Sequence, residues 1–156
     1  MKKIFIGSDK SGFVLKEAIK QYLLDETYEV EDIGTTDEAA PLPFFEVAYK
    51  GAQKIQSKEY TRGILICGTG IGISIAANKI RGVRAALCHD TFSAHATREH
   101  NDANILAMGE RVIGPSLALD IVDAFLTTKF EGERHQTRID KITQLEEKYL
   151  GLEEEK

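Results

Sequence analysis

The chain has 156 residues, 42% of them apolar and 29% charged. That is one domain's worth of polypeptide, able to bury roughly two thirds of its unfolded surface without a disulfide staple, and it excludes disorder, low complexity and a fibrous repeat. Twenty basic against 25 acidic residues leave a net charge of −5, so no overall positive field exists to gather nucleic acid or an anionic membrane. Two cysteines, Cys67 and Cys88, are too few for a disulfide framework, and no stretch approaches the roughly 20 apolar residues of a membrane span. The strand-like start MKKIFIGSD does not read as a signal segment, and the expected location is cytoplasmic, with both thiols free.

Short apolar runs alternate with segments of helical period, the mark of βαβ units and a parallel sheet. Ile4-Phe5-Ile6 reads as a first strand. Gly12 opens a helix carrying Phe13, Leu15, Ala18, Ile19, Tyr22 and Leu23. Tyr28 to Ile33 alternates with period two and ends at Gly34, as a strand near a sheet edge does. Pro41 and Pro43 force a loop over residues 35–43, and a helical face then resumes with Phe44, Val47, Ala48, Ala52 and Ile55. Gly63 to Cys67 is a continuous apolar run, expected of a central strand covered on both faces. The glycine-rich Gly68-Thr69-Gly70-Ile71-Gly72 follows and leads into a helix through about Lys79. Val83 to Leu87 and Ile105 to Met108 read as strands four and five, with a helix over about Thr91 to Glu99 between them. Pro115 starts another helix at its favoured position, and a last amphipathic helix carries Ile139, Ile142, Leu145 and Tyr149 and ends near Gly151. Residues 1–151 read as one domain, and 152–156 as an acidic tail that frays.

Open parallel sheets bind ligands at the carboxyl ends of their strands. Asp9 and Lys10 follow strand one, Cys67 and the glycine loop follow strand three, His89 and Asp90 follow strand four, and Arg111 follows strand five. The glycines leave backbone N–H groups uncovered at a helix start, a cradle for an oxyanion. No Gly-Lys-Ser/Thr follows, so the loop is not a P-loop, and Ile75 stands where a dinucleotide fingerprint from Gly70 needs its last glycine. Asp90, 20 positions beyond Gly70, nonetheless keeps a nucleotide reading open. Cys67, at a helix amino terminus that favours its thiolate, suits a base or a nucleophile. In the polar run Arg98 to Asn104, His100 suits proton exchange near neutral pH and the amide side chains suit a hydroxylated ligand. His95 and His100 are five apart, on different helix faces, and no metal site is expected. Arg134 and Arg138, four apart, share a helix face and could grip a phosphate together.

Six blocks in order carry a resemblance over residues 3–143: Gly7-Ser8-Asp9, Arg62 to Gly72, Ala76 to Lys79, Arg84 to Asp90, Arg98 to Asn104, and Phe130 to His135. In these the chain resembles the ribose-5-phosphate isomerase B and galactose-6-phosphate isomerase family. The resemblance implies a Rossmann-like three-layer α/β/α sandwich, with a five-stranded parallel sheet and a C-terminal helix packed on a partner subunit. It implies interconversion of aldose and ketose phosphates through a cis-enediolate, with no metal or organic cofactor, in a homodimer or dimer of dimers whose sites are shared. On this likeness Cys67 is the base that moves a proton between C1 and C2, and Thr69 and His100 assist ring opening, with His100 as proton donor. Asn101 and the amides of Gly68, Gly70, Ile71 and Gly72 hold the enediolate oxygens. Asp9 binds sugar hydroxyls and Arg111, Arg134 and Arg138 bind phosphate, which Lys10 also attracts.

Two departures bear on the substrate. Lys10 stands where the ribose-type pattern has histidine, and Pro41-Leu42-Pro43-Phe44-Phe45 replaces a loop richer in hydroxyls and carboxylates. Ribose 5-phosphate to ribulose 5-phosphate is the leading expectation. A hexose 6-phosphate or a tetrose phosphate is the alternative, and a non-catalytic sugar-phosphate or nucleotide sensor is the reading from another class.

Overall fold

The structure is a computed structural model that describes residues 2–150; the acidic tail expected at 152–156 lies outside the described residues. Five strands, β1 (Lys3–Ser8), β2 (Glu29–Asp32), β3 (Gly63–Cys67), β4 (Ala85–Leu87) and β5 (Ile105–Gly109), form one parallel sheet in the order β2-β1-β3-β5-β4. Between and after them run α1 (Phe13–Asp25), α2 (Phe44–Gln56), α3 (Ile71–Ala77), α4 (Thr91–Asn101), α5 (Pro115–Thr127) and α6 (Arg134–Tyr149). The expected α/β architecture is therefore present, with β3 at its centre and β2 at an edge. A short 3₁₀ turn over Lys10–Gly12, capped by Asp9, precedes α1, so the helix proper starts one residue after Gly12. Among the described residues no helix is long and apolar enough to cross a membrane.

Period-two alternation in the strands sorts the core into two layers. Ile4, Ile6, Ile64, Ile66, Leu106 and Met108 pack against α1, α4 and α5. Phe5, Leu65, Cys67, Ile105 and Ala107 face α2 and α3. Chain order reverses between β1 and β3, since β2 lies on one side of β1 and β3 on the other. That switch point opens a crevice at the strands' carboxyl ends, where Ser8-Asp9 and Cys67-Gly68 emerge.

Lys16 is fully buried on α1, unusual for a lysine. Its ammonium contacts the Asp32 carboxylate at 2.6 Å, Glu17 at 3.0 Å and the Thr35 carbonyl, while Lys20 reaches Asp32 at 3.0 Å. Burial pushes the Asp32 carboxyl up, but the two ammonium groups and the Gly34 N–H outweigh it and hold the group below its ordinary 3.8. The stability this pair provides is present above pH 3.8 and drains away as pH falls through the lowered value. Asp32→Ala removes the closest partner of a buried cation, and we expect a loss of about 3 kcal/mol, read as a shifted urea midpoint at pH 7 that shrinks as the pH approaches 3.

Candidate active site

Cys67 ends β3 with its side chain 5% exposed. The Gly70 N–H donates to its Sγ at 3.2 Å. Gly70 has φ +75°, and a Cβ there would come within 2.5 Å of Leu87 and 2.7 Å of the Met108 backbone. Only glycine folds the loop this tightly over the end of β5. Gly109 meets the Thr69 backbone on the other side, where a Cβ would sit 2.5 Å away. His89 fixes the same corner, its Nε2 accepting the Gly109 N–H at 2.9 Å, while burial pushes this imidazole below its ordinary value and keeps it neutral.

Arg111 reaches this loop, and Asp9 lies close enough to feel its charge. A Cβ on Gly68 would lie 3.4 Å from both the Arg111 guanidinium and Ser11. Burial pushes the Asp9 carboxyl up, against the Gly12 and Ser11 N–H groups and Arg111. Glu110, next to Arg111 in the chain, accepts the Leu15 N–H at 3.1 Å. Asp9 and Lys10 share a cavity of about 340 Å³ with Pro41 to Phe45, inside the range of small-ligand sites. Phe44 crowds Gly72, where a Cβ would approach its ring to 3.1 Å, so the Pro41 to Phe45 loop forms an apolar wall beside the glycine loop.

The remaining candidates have partners of their own or lie elsewhere in the chain. The amides of Gly70 and Ile71 are already engaged, Gly70 with Cys67 Sγ and Ile71 with Thr69 Oγ1 at 3.2 Å. Asp90 is the N-cap of α4, accepting from the Ser93 N–H at 2.6 Å and the Ser93 hydroxyl at 2.9 Å. Those bonds hold its carboxyl below the ordinary range and remove the reason for a nucleotide reading. Finally, His100, Asn101, Arg134 and Arg138 do not join Cys67 within one chain. Helix α4 starts at the carboxyl end of β4 and runs back to the start of β5, so His100 and Asn101 lie at the sheet's opposite edge. There the Asn104 carbonyl accepts the Gly63 N–H, at the beginning of β3. The length of β3 alone separates that edge from Cys67 by about 13 Å.

At this second edge Arg84 holds the Asn101 carbonyl at 3.1 Å and the Asp102 carbonyl at 3.0–3.1 Å, while Arg98 holds the Asp102 carboxylate at 2.8 Å. The clamp fixes Asp102 in the left-handed region, φ +46°, and with it the outward-facing His100-Asn101 pair. Arg134 and Arg138, both exposed in the first turns of α6, have no carboxylate within 4.0 Å among the described residues. The spacing of residues gives no hint of His135: its ring stacks on that of His100 with centroids 4.6 Å apart, and Glu131 lies beside it.

The two thiols differ. Burial and the neighbouring Asp90 push Cys88 up to about 11, so it stays protonated and inert at neutral pH. We expect iodoacetamide at pH 7.5 to label Cys67 and spare Cys88 until the protein unfolds, as read by peptide mass mapping.

The family model described as Ribose/Galactose Isomerase matches residues 4–142. The chain belongs to that family. It is a sugar-phosphate isomerase, an enzyme of the aldose–ketose type. It is 48% identical to ribose-5-phosphate isomerase B of Escherichia coli over 95% of this chain and 99% of that one. It is 49% identical to 4-deoxy-4-sulfo-D-erythrose isomerase of a Clostridium species, over 97% and 96% of the two chains. The solved structure of Clostridium thermocellum ribose-5-phosphate isomerase B superposes with a TM-score of 0.91 at 52% identity, covering 94% of this chain and 99% of the other. The expected α/β fold with its five-stranded parallel sheet, and the expected membership, are thus met.

Proposed function

We propose that this isomerase interconverts ribose 5-phosphate and ribulose 5-phosphate through a cis-enediolate, with Cys67 as the base. The observation that carries the reading is the Cys67 sulfur held 3.2 Å from the Gly70 N–H at the mouth of the switch-point crevice, with Asp9 and Arg111 beside it. The thiolate takes the proton from C2 of the open-chain aldose and returns it to C1, while the hydroxyl proton on O2 passes to O1 so that the carbonyl ends on C2. The carbonyl oxygen, negative in the enediolate, is met by the Gly68 and Gly72 N–H groups of the loop, and donors fixed in advance stabilise such an oxygen far better than water does. Proton uptake by the sulfur leaves the Gly70 N–H free to share between Sγ and substrate oxygen.

Ring opening needs a proton donor, and the phosphate needs more positive charge than Arg111 and Lys10 bring from one chain. We infer that a second copy brings His100, Asn101, Arg134 and Arg138 to the Cys67 crevice, while Arg111 and Lys10 act in cis. Two features favour that assembly. Arg134 and Arg138 are cations without carboxylates among the described residues, and α6 leaves Ile142, Leu145 and Tyr149 exposed along an apolar groove of about 590 Å³ beside the β4 edge.

A four-carbon substrate is the second reading, favoured by the apolar wall of Pro41 to Phe45 and by Phe44 against Gly72, which shorten the space for a sugar chain. A panel of C4 to C6 aldose phosphates and a C4 sugar sulfonate, followed by NMR for deuterium entering from solvent, tests both. We expect ribose 5-phosphate to give the highest kcat/KM. A tetrose derivative outrunning it transfers the assignment to the shorter chain, and no exchange into any compound refutes proton transfer by Cys67.

A further inference from the structure

We propose that His100, Glu131 and His135 form a site for a borderline divalent transition-metal ion, exemplified by Zn²⁺, and that an ion bound there withholds the His100 imidazole from proton transfer. The second half rests on the proton-donor role proposed for His100; the site itself does not. Among the described residues these three are the group whose potential ligand atoms gather, all within 4.8 Å of one another. Two imidazoles and a carboxylate suit zinc and its late first-row neighbours, whereas Mg²⁺ and Ca²⁺ prefer oxygen ligands.

His135 supplies the independent observation. It is 4% exposed, and neither of its ring nitrogens completes a hydrogen bond. Glu131 Oε2 comes to 3.1 Å from Nε2 without the alignment a hydrogen bond requires. Buried polar atoms without partners are few in native proteins, and each calls for an account. A metal ion provides one.

The frame is built before any ion arrives. The Glu131 N–H donates to the Glu99 carbonyl at 3.1 Å, tying the loop before α6 to the last turn of α4, and the His135 N–H donates to the Gly132 carbonyl at 2.9 Å. Zinc with bonds of about 2.0–2.1 Å needs ligand atoms roughly 3.4 Å apart. The group must therefore close by up to about 1.4 Å from its 4.8 Å spread, and the stacked rings must tilt from their 22° interplanar angle until their lone pairs converge. His135 is the fixed post. His100 and Glu131 are exposed and free to swing, which leaves a fourth position to water.

The test is isothermal titration calorimetry of the full chain carrying Cys67→Ala, so that the active-site thiol does not compete, with ZnCl₂ and MgCl₂ as probes. We expect one Zn²⁺ per chain at micromolar Kd, no heat with Mg²⁺, and at least tenfold weaker zinc binding in Glu131→Gln and in His135→Gln. Zinc affinity untouched by both substitutions, or no binding at 100 µM, overturns the site. Glu131 is exposed, so Glu131→Gln decides the matter if His135→Gln fails to fold. In the enzyme with Cys67 intact, zinc should slow turnover reversibly on chelation, with Glu131→Gln less sensitive by the same factor as its affinity. Stoichiometric binding that leaves turnover unchanged overturns the second half of the proposal, and the calorimetry still decides the first.

Discussion

Cys67→Ala should lower kcat on ribose 5-phosphate by about a thousandfold or more, within the range general bases contribute, while KM changes little. On the proposed mechanism the sulfur accepts the carbon-bound proton, and the Gly70 N–H that now donates to it cannot take its place. Losing one buried atom at a 5% exposed position costs about 1 kcal/mol, so the variant remains folded and its inactivity cannot be laid to unfolding. Cys67→Ser sharpens the result. A serine hydroxyl can still accept from the Gly70 N–H and so restores the loop, yet it is far too weak an acid to ionise near neutral pH, and it should be nearly as inactive as alanine. Steady-state rates, solvent-deuterium exchange and thermal melts of both variants decide the matter. Wild-type exchange in Cys67→Ala refutes the proposed base.

The parts of the fold that the sequence announces are those where burial and pattern agree. Gly63 to Cys67 is apolar without interruption because β3 is flanked by β1 and β5 and covered on both faces, and its limits are those expected. Strand β4 is shorter than the apolar run from Val83 implies, for a local reason. The Val83 N–H turns back to the Ile80 carbonyl, and the Asn104 side chain, not a strand, takes the Arg84 N–H at 2.8 Å and donates to the Gly82 carbonyl at 2.8 Å. Side-chain amides mimic a ladder that periodicity has no means of registering.

The site divides in the same way. Asp9, Lys10, Cys67, the glycine loop and Arg111 are legible because each directly follows a strand, and parallel strands end at one edge. His100 and Asn101 follow a helix that has already crossed back, so chemical character marks them while position does not. The stacking of His135 on His100 joins residues 35 apart through the packing of α6 on α4, and no spacing rule reaches that far. Asp90 shows the reverse error: a carboxylate at a suggestive interval whose oxygens are spent on capping a helix.

Because Cys67 and His100 lie at opposite edges of one sheet, two inactive variants should rescue each other. Chains carrying Cys67→Ala and chains carrying His100→Ala are each expected below about 1% of wild-type turnover, since in the proposed dimer every site then lacks one of the two groups. Co-expressed in equal amounts, half of the dimers are mixed. In a mixed dimer one crevice combines the intact Cys67 of one chain with the intact His100 of the other, and the second crevice carries both substitutions. Half of the dimers with one of two sites intact gives roughly a quarter of wild-type activity, a figure set by two-fold symmetry alone. The readout is kcat per site after purification on two different tags, which isolates the mixed dimer and should raise the figure to about one half. A mixture no more active than its components would mean that each chain completes its own site. His100 would then have to reach about 13 Å along the sheet, against the Arg84 clamp on the Asn101 and Asp102 carbonyls. The shared site predicts recovery without any such movement.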